Sequence, residues 1–210
     1  MMATYPPSTS GVLVEDLIDT YLPVYDVVIT EHLVVEAGVP ETIAAARDLD
    51  FMSVKSPLLS ASFFVRGLPD RLKGRRVEAP PELRLATGDA DLPGWLSLGE
   101  IPGREIAFGA VGKFWKAEIE WRDVGRDEFA GFDEPGWGKI ACHFLVRPDG
   151  EHRSVLTYEC RTATTDLEAR RRMVRYWWAI RPFVGHVLRA TLRTIADRAT
   201  GTAPGTAVGS

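Results

Sequence analysis

An α+β architecture is what this sequence predicts: a curved, mainly antiparallel sheet wrapped around one long C-terminal helix, with two short helices after the first strand. Three observations predict it. Residues from Asp166 to about Ala199 keep a helical apolar spacing over Met173, Trp177, Ile180, Val184, Leu188, Leu192 and Ile195. Ile140, Cys142, Phe144 and Val146 alternate with Lys139, His143 and Arg147, the period of a half-buried strand. The order is one strand, short helices, a run of strands, then the helix, so the long apolar stripe comes last and needs a sheet to cover it.

Residues 1–23 read as a leader, with Val12–Tyr21 as a short helix presenting Leu13, Leu17 and Tyr21. DVVITEHLVVEA, residues 26–37, is β-branched and bounded by Pro23 and Gly38, which marks a strand. Leu33, Val35 and Ala37 share one face, and Thr30, His32 and Glu36 the other. Pro40 then opens a helix, because the amide that proline lacks is unpaired in a first turn anyway. Ser56-Pro57 starts a second helix in the same way, carrying Leu58, Leu59, Phe63 and Val65. Residues 67–94 are rich in Pro, Gly and charge and read as a loop over one end of the molecule. Arg71, Lys73, Arg75 and Arg76 within it read as a solvated surface.

From Trp95 the chain reads as successive strands. WLSLGEI ends at the turn dipeptide Pro102-Gly103. REIAFGAVGKFW carries Gly109 and Gly112, which suggest bulges or a strong bend. AEIEWRDV continues to Gly125, and WGKIACHFLVR reaches the hairpin signal Pro148-Asp149-Gly150. RSVLTYECRTA answers it, with Leu156, Tyr158 and Cys160 on one face. In the last helix Thr165 or Asp166 caps the start, since a short side-chain oxygen accepts from the free first-turn amides. Pro182 removes one ladder donor and is expected to kink it. The opposite side carries Arg170, Arg171, Arg175, Arg189, Arg193 and Arg198. Residues 24–199 form one domain in this reading, and 200–210 a disordered tail.

Composition narrows the functions. With 210 residues, 45% hydrophobic and 26% charged, the chain can bury a sizeable core. A net charge of −4 offers no long-range attraction for nucleic acid. Two cysteines, Cys142 and Cys160, make no disulfide framework, and a reducing, cytoplasmic setting is the simpler expectation. No apolar run reaches the roughly 20 residues of a membrane span, and the N-terminal residues lack the basic and apolar regions of a secretory signal. Oligomeric state is not readable.

Four stretches carry a resemblance. Val35-Glu36-Ala37-Gly38-Val39-Pro40-Glu41-Thr42 is similar to a first strand running into a proline-led helix, and Arg47-Asp48-Leu49-Asp50 to the end of that helix. Gly109-Ala110-Val111-Gly112-Lys113-Phe114-Trp115 is similar to a glycine-rich mid-sheet strand. Tyr176-Trp177-Trp178-Ala179-Ile180-Arg181-Pro182 is similar to a kinked terminal helix. Together they resemble the helix-grip fold of the START-like superfamily, also called SRPBCC, over roughly residues 24–199. That superfamily includes the birch pollen allergen, lipid-transfer START domains and polyketide cyclases/dehydratases. The resemblance implies a cavity between sheet and terminal helix. It implies no shared catalytic residue, and none is transferred.

The candidate ligand-binding residues follow from the two facing patterns. Met173, Trp177, Ile180 and Val184 on the helix face Phe144, Cys142, Tyr158 and Leu156 on the sheet, either lining a cavity or packing a solid core. His32, His143, His152 and His186 are isolated, and none is paired at metal-ligand spacing, so neither a metal nor any cofactor is expected. Cys142 and Cys160 share a predicted face of adjacent strands and read as buried small apolar groups. Glu100, Glu105, Lys113, Glu118, Glu120 and Arg122 are mid-sheet charges whose ordinary home is an outer face.

Three functions fit. The first is binding or carriage of a hydrophobic small molecule, lipid-, polyketide- or quinone-like. The second is a cyclase- or dehydratase-like enzyme that uses a pocket acid or base such as Tyr158 or a glutamate. The third is a protein-interaction module with a filled core that uses the arginine-rich helix face. An open apolar cavity favours the first, an open cavity with ionisable groups the second, and a filled core the third.

Overall fold

In a computed structural model, residues 15–49, 94–116 and 118–202 are described. The elements are α1 (Leu17–Tyr21), β1 (Val27–Val35), α2 (Val39–Arg47), β2 (Trp95–Ile101), β3 (Glu105–Lys113), β4 (Glu120–Arg122), α3 (Arg126–Phe129), β5 (Gly138–Pro148), β6 (Ser154–Thr164) and α4 (Leu167–Ala199). The helix expected from Ser56, most of the 67–94 loop, the leader before Glu15 and the tail beyond Thr202 lie outside the described residues.

The strands form one antiparallel sheet in the order β1-β6-β5-β3-β2, with β4 paired to β3. The first strand thus pairs with the last, Ile29 standing opposite Cys160 and Leu33 opposite Leu156. α4 packs on one face of this sheet, against β1 and β6, with α2 beside its second half. This is the helix-grip arrangement.

Local chemistry explains why α4 starts where it does. The Asp166 carboxylate accepts from the Ala169 amide at 2.8 Å, and these backbone bonds hold its pKa below the usual carboxylate value. Asp26, at the start of β1, accepts from the Thr164 amide at 2.8 Å and pairs with Arg170 at 2.9 Å. The helix is tied to the sheet on both sides of its first turn. It continues through Pro182 to Ala199 as one element.

The glycines of β3 have a different role from the one expected. β3 keeps an unbroken register with β5 from Glu105 to Gly112. The register shift lies instead in β2, between Ser97 and Gly99, where Gly99 has a φ of 126°. A Cβ on Gly109 would meet the Ile140 carbonyl at 2.8 Å and the Phe129 ring at 3.0 Å. Gly109 is therefore a close-approach residue, not a bulge.

The second departure is the outer sheet face, expected to be a home for charges. Here Ile18, Leu22 and Phe129, from α1, the residue after it and α3, are buried against Leu98, Ala107, Val111 and Ala141. α3 carries no expectation from sequence, and the buried side of α1 is Ile18 with Leu22. Beneath α1, Glu105 is fully buried. Its carboxylate accepts from the Leu17 amide at 2.8 Å and the Ile18 amide at 3.3 Å, and its Oε1 lies 2.6 Å from His143 Nδ1. At the other end of α1, Arg161 donates to the Leu22 carbonyl at 3.2 Å and to Asp19 at 2.6 Å. A carboxylate at the amide end and a guanidinium at the carbonyl end suit the exposed backbone groups of a short helix.

Candidate functional site

Alternation on β5 and β6 points Cys142, Phe144 and Val146, and Leu156, Tyr158 and Cys160, toward α4. The register sets Phe144 opposite Tyr158 and Cys142 opposite Cys160. Phe108 of β3 stands opposite Cys142. Four rings meet on this face: Phe144 and Tyr158 have centroids 4.5 Å apart, Phe108 and Phe144 5.6 Å, and Trp95 and Phe108 5.6 Å. Phe108 and Trp95 are absent from the sequence-derived candidates. The signal for Phe108 is the alternation Ile106–Phe108–Ala110, which the glycines of the same strand obscure.

Seven of the eight expected residues divide between two clusters, and Ile180 belongs to neither. Phe144, Cys142, Leu156 and Tyr158 are buried together with Leu188, Leu192 and Ile195 of α4 and Val35 and Ile43 beside them, and Val184 packs against this group. Met173 is buried in a second cluster with Ala110 and Phe114, on whose edge Trp177 packs. Between Met173 and Gly185 no α4 residue is fully buried, and Trp177, Ile180 and Val184 are only half-buried. The helix is clamped at its ends and looser in its middle. Trp178, about 100° further round the helix than Trp177, is 73% exposed. Its residue position turns it away from both clusters.

Three protic groups sit on the sheet side of this site. Burial pushes the Tyr158 phenol well above its usual value, with Cys160 and Cys142 adding to the effect. Burial raises the Cys142 thiol in the same way, with the Cys160 side chain as a hydrogen-bonding neighbour. Both cysteines are free thiols. At neutral pH the phenol therefore keeps its proton. On the helix side, Glu31 of β1 pairs with Arg189.

The remaining candidates fall elsewhere. His143 faces the outer side with Glu105, and His32 Nδ1 lies 2.8 Å from the Thr157 hydroxyl on that same side. His152 is exposed near the β5–β6 turn, and His186 is half-buried. Glu120 is exposed, and the Lys113 and Lys116 ammonium groups hold its pKa down to about 2. Among the described residues, no three His, Cys, Asp or Glu side chains converge to hold a metal ion. None of the described helices is long and apolar enough to cross a membrane.

No family model and no curated protein matches the sequence. Several solved structures are similar to this chain at low identity. The di-domain aromatase/cyclase StfQ of the steffimycin biosynthetic pathway is 13% identical, with a TM-score of 0.42 over 85% of this chain and 52% of that one. This chain thus spans about half the length of that protein. Norcoclaurine synthase from Thalictrum flavum, solved with dopamine and hydroxybenzaldehyde, is 13% identical, with a TM-score of 0.36 over 97% of this chain and 100% of that one. CalU16 from Micromonospora echinospora is 14% identical, with a TM-score of 0.28 over 83% and 84% of the two chains. What makes this chain a helix-grip protein is its own strand order and the seat of α4 on one face of the sheet.

Proposed function

We propose that the protein binds or carries a hydrophobic small molecule, lipid-, polyketide- or quinone-like, between the sheet and the middle of α4. The observation that carries this reading is the break in burial along α4. Met173 before it and Leu188, Leu192 and Ile195 after it are buried, while Trp177, Ile180 and Val184, on the same inward stripe, are only half so. A solid core would close over those three. In this reading Trp177, Ile180 and Val184 form one wall, Met173 closes one end, and Phe144, Cys142, Tyr158 and Leu156 form the floor, with Phe108 and Trp95 beside them. The neutral Tyr158 phenol donates one hydrogen bond to a carbonyl or hydroxyl of the ligand, which is how a mostly apolar site orients its occupant.

The test is native mass spectrometry of protein purified without added ligand, beside titration with a fluorescent hydrophobic probe. An apolar adduct lost on denaturation, or saturable probe binding altered by Trp177→Ala, is the expected result. Absence of both, with a full core-sized stability loss for Trp177→Ala, overturns the reading in favour of a filled core.

A further inference from the structure

The outer side of the first half of α4 is not explained by a ligand site on its inner side. Leu167, Arg171, Arg175, Trp178 and Pro182 recur at intervals of four, four, three and four, so they form one ridge along the helix. Val174 and Arg181 flank it. The ridge spans 15 residue steps, about 22 Å at ~1.5 Å per step. Its two large apolar side chains are bare: Trp178 is 73% and Leu167 70% exposed.

The charges on this half of the helix fall into two sets. Arg170 and Arg172, off the ridge, are paired with Asp26 and Glu168. Arg171, Arg175 and Arg181 are exposed and make no ion pair among the described residues. Arg171 and Arg175 stand one turn apart, where like charges repel. A chain of net charge −4 thus keeps three guanidinium groups without an ion-pair partner among the described residues, beside a solvent-exposed indole. Guanidinium groups bind phosphate through a planar fork of donors. An indole beside them is the side chain that settles at the headgroup level of a bilayer, its ring in the acyl boundary and its N–H in the wet layer. A helical ridge of this composition suits an anionic interface.

We propose that this ridge, Leu167–Arg171–Arg175–Trp178 with Val174 and Arg181, docks the protein on an anionic phospholipid surface. The docking is peripheral: α4 lies along the interface and does not enter it. The surface is independent of the ligand site, because it uses the opposite side of the helix, and either can fail without the other.

The experiment is flotation of the full chain with vesicles of phosphatidylcholine alone and of phosphatidylcholine with phosphatidylglycerol. Binding is expected to the anionic vesicles only and to fall as salt is raised. At about 1 kcal/mol per basic residue, Arg171→Gln with Arg175→Gln lowers vesicle affinity about 30-fold. Trp178→Ala lowers it as well and removes the blue shift of tryptophan emission on binding. All three positions are exposed, so the melting temperature of each variant is expected to match the parent. Failure of the parent to float with anionic vesicles overturns the proposal, as does equal binding by the double variant. Binding of polyglutamate without vesicle binding overturns it too and assigns the ridge to an acidic protein surface. A large stability loss in the double variant assigns it to another part of this chain.

Discussion

The two faces of the sheet bury side chains for opposite purposes. The face toward α4 buries rings and aliphatic groups, with Tyr158 and Cys142 kept neutral among them. The outer face, under α1, buries a carboxylate. Glu105 is fully buried and has donors from two backbone amides and a histidine beside it. The difference teaches that a buried ionisable group is not by itself a functional site. Glu105 has each oxygen engaged by groups of the protein. Its work is to hold a five-residue helix that could not persist alone.

The comparison can be broken most sharply at Glu105. Glu105→Ala leaves the Leu17 and Ile18 amides and His143 without their acceptor, and is expected to cost about 3–5 kcal/mol in urea denaturation. Probe binding to the α4 side should survive in the fraction that stays folded. A loss under about 1 kcal/mol would mean that α1 is not tied to the sheet through this carboxylate.

On the other face, Phe144→Ala and Trp177→Ala separate core from wall. Phe144 is fully buried, so its truncation should cost about 3–5 kcal/mol. Trp177 is half-buried and should cost less than about 2 kcal/mol, because less of its area leaves water on folding. Equal losses for the two would place Trp177 in a closed core.

Alkaline titration distinguishes the faces by protons. Cys142 and Tyr158 have folded pKa values raised above their ordinary 9.0 and 10.0. The stability they contribute is complete below those ordinary values. It falls as pH rises past them, since the unfolded chain releases protons that the native chain retains. The midpoint of urea unfolding is therefore expected to decline from about pH 9 upward, and Cys142→Ala should remove the earlier part of that decline.

The smallest effect is on labelling. Cys142 should react slowly with a thiol reagent in the native state, because burial disfavours its thiolate. Unfolding without reductant should yield two reactive thiols, and recovery of fewer would point to a disulfide between the facing pair.

Much of the fold was legible because it is periodic. β2 was read at its observed bounds, β5 and β6 each within one residue of theirs, and the α4 start at Asp166 followed from a cap and a stripe. Facing was legible on the same ground: Cys142, Phe144, Leu156 and Tyr158 do share one side. The burial of Gly185 and Thr191 on α4 was not legible, because neither belongs to an apolar stripe. The Phe108 ring was hidden by the neighbouring Gly109, whose meaning lay in the approach of Phe129 and Ile140.

What the sequence determined by itself was the element order, the alternation of each strand and the amphipathic stripe of α4. These are local properties, set by periods of two and 3.6 residues. Tertiary structure decided which outward residues are truly outside. Glu105 and His143 sit at positions a strand pattern assigns to solvent, and α1 and α3, both too short for their own periodicity to be persuasive, cover that face. Trp178 and Leu167 are the converse: apolar residues left bare on a helix whose covered side is elsewhere. Burial depends on what the chain brings over a face from far along the sequence, 88 residues in the case of Leu17 and Glu105, and no local pattern encodes that distance.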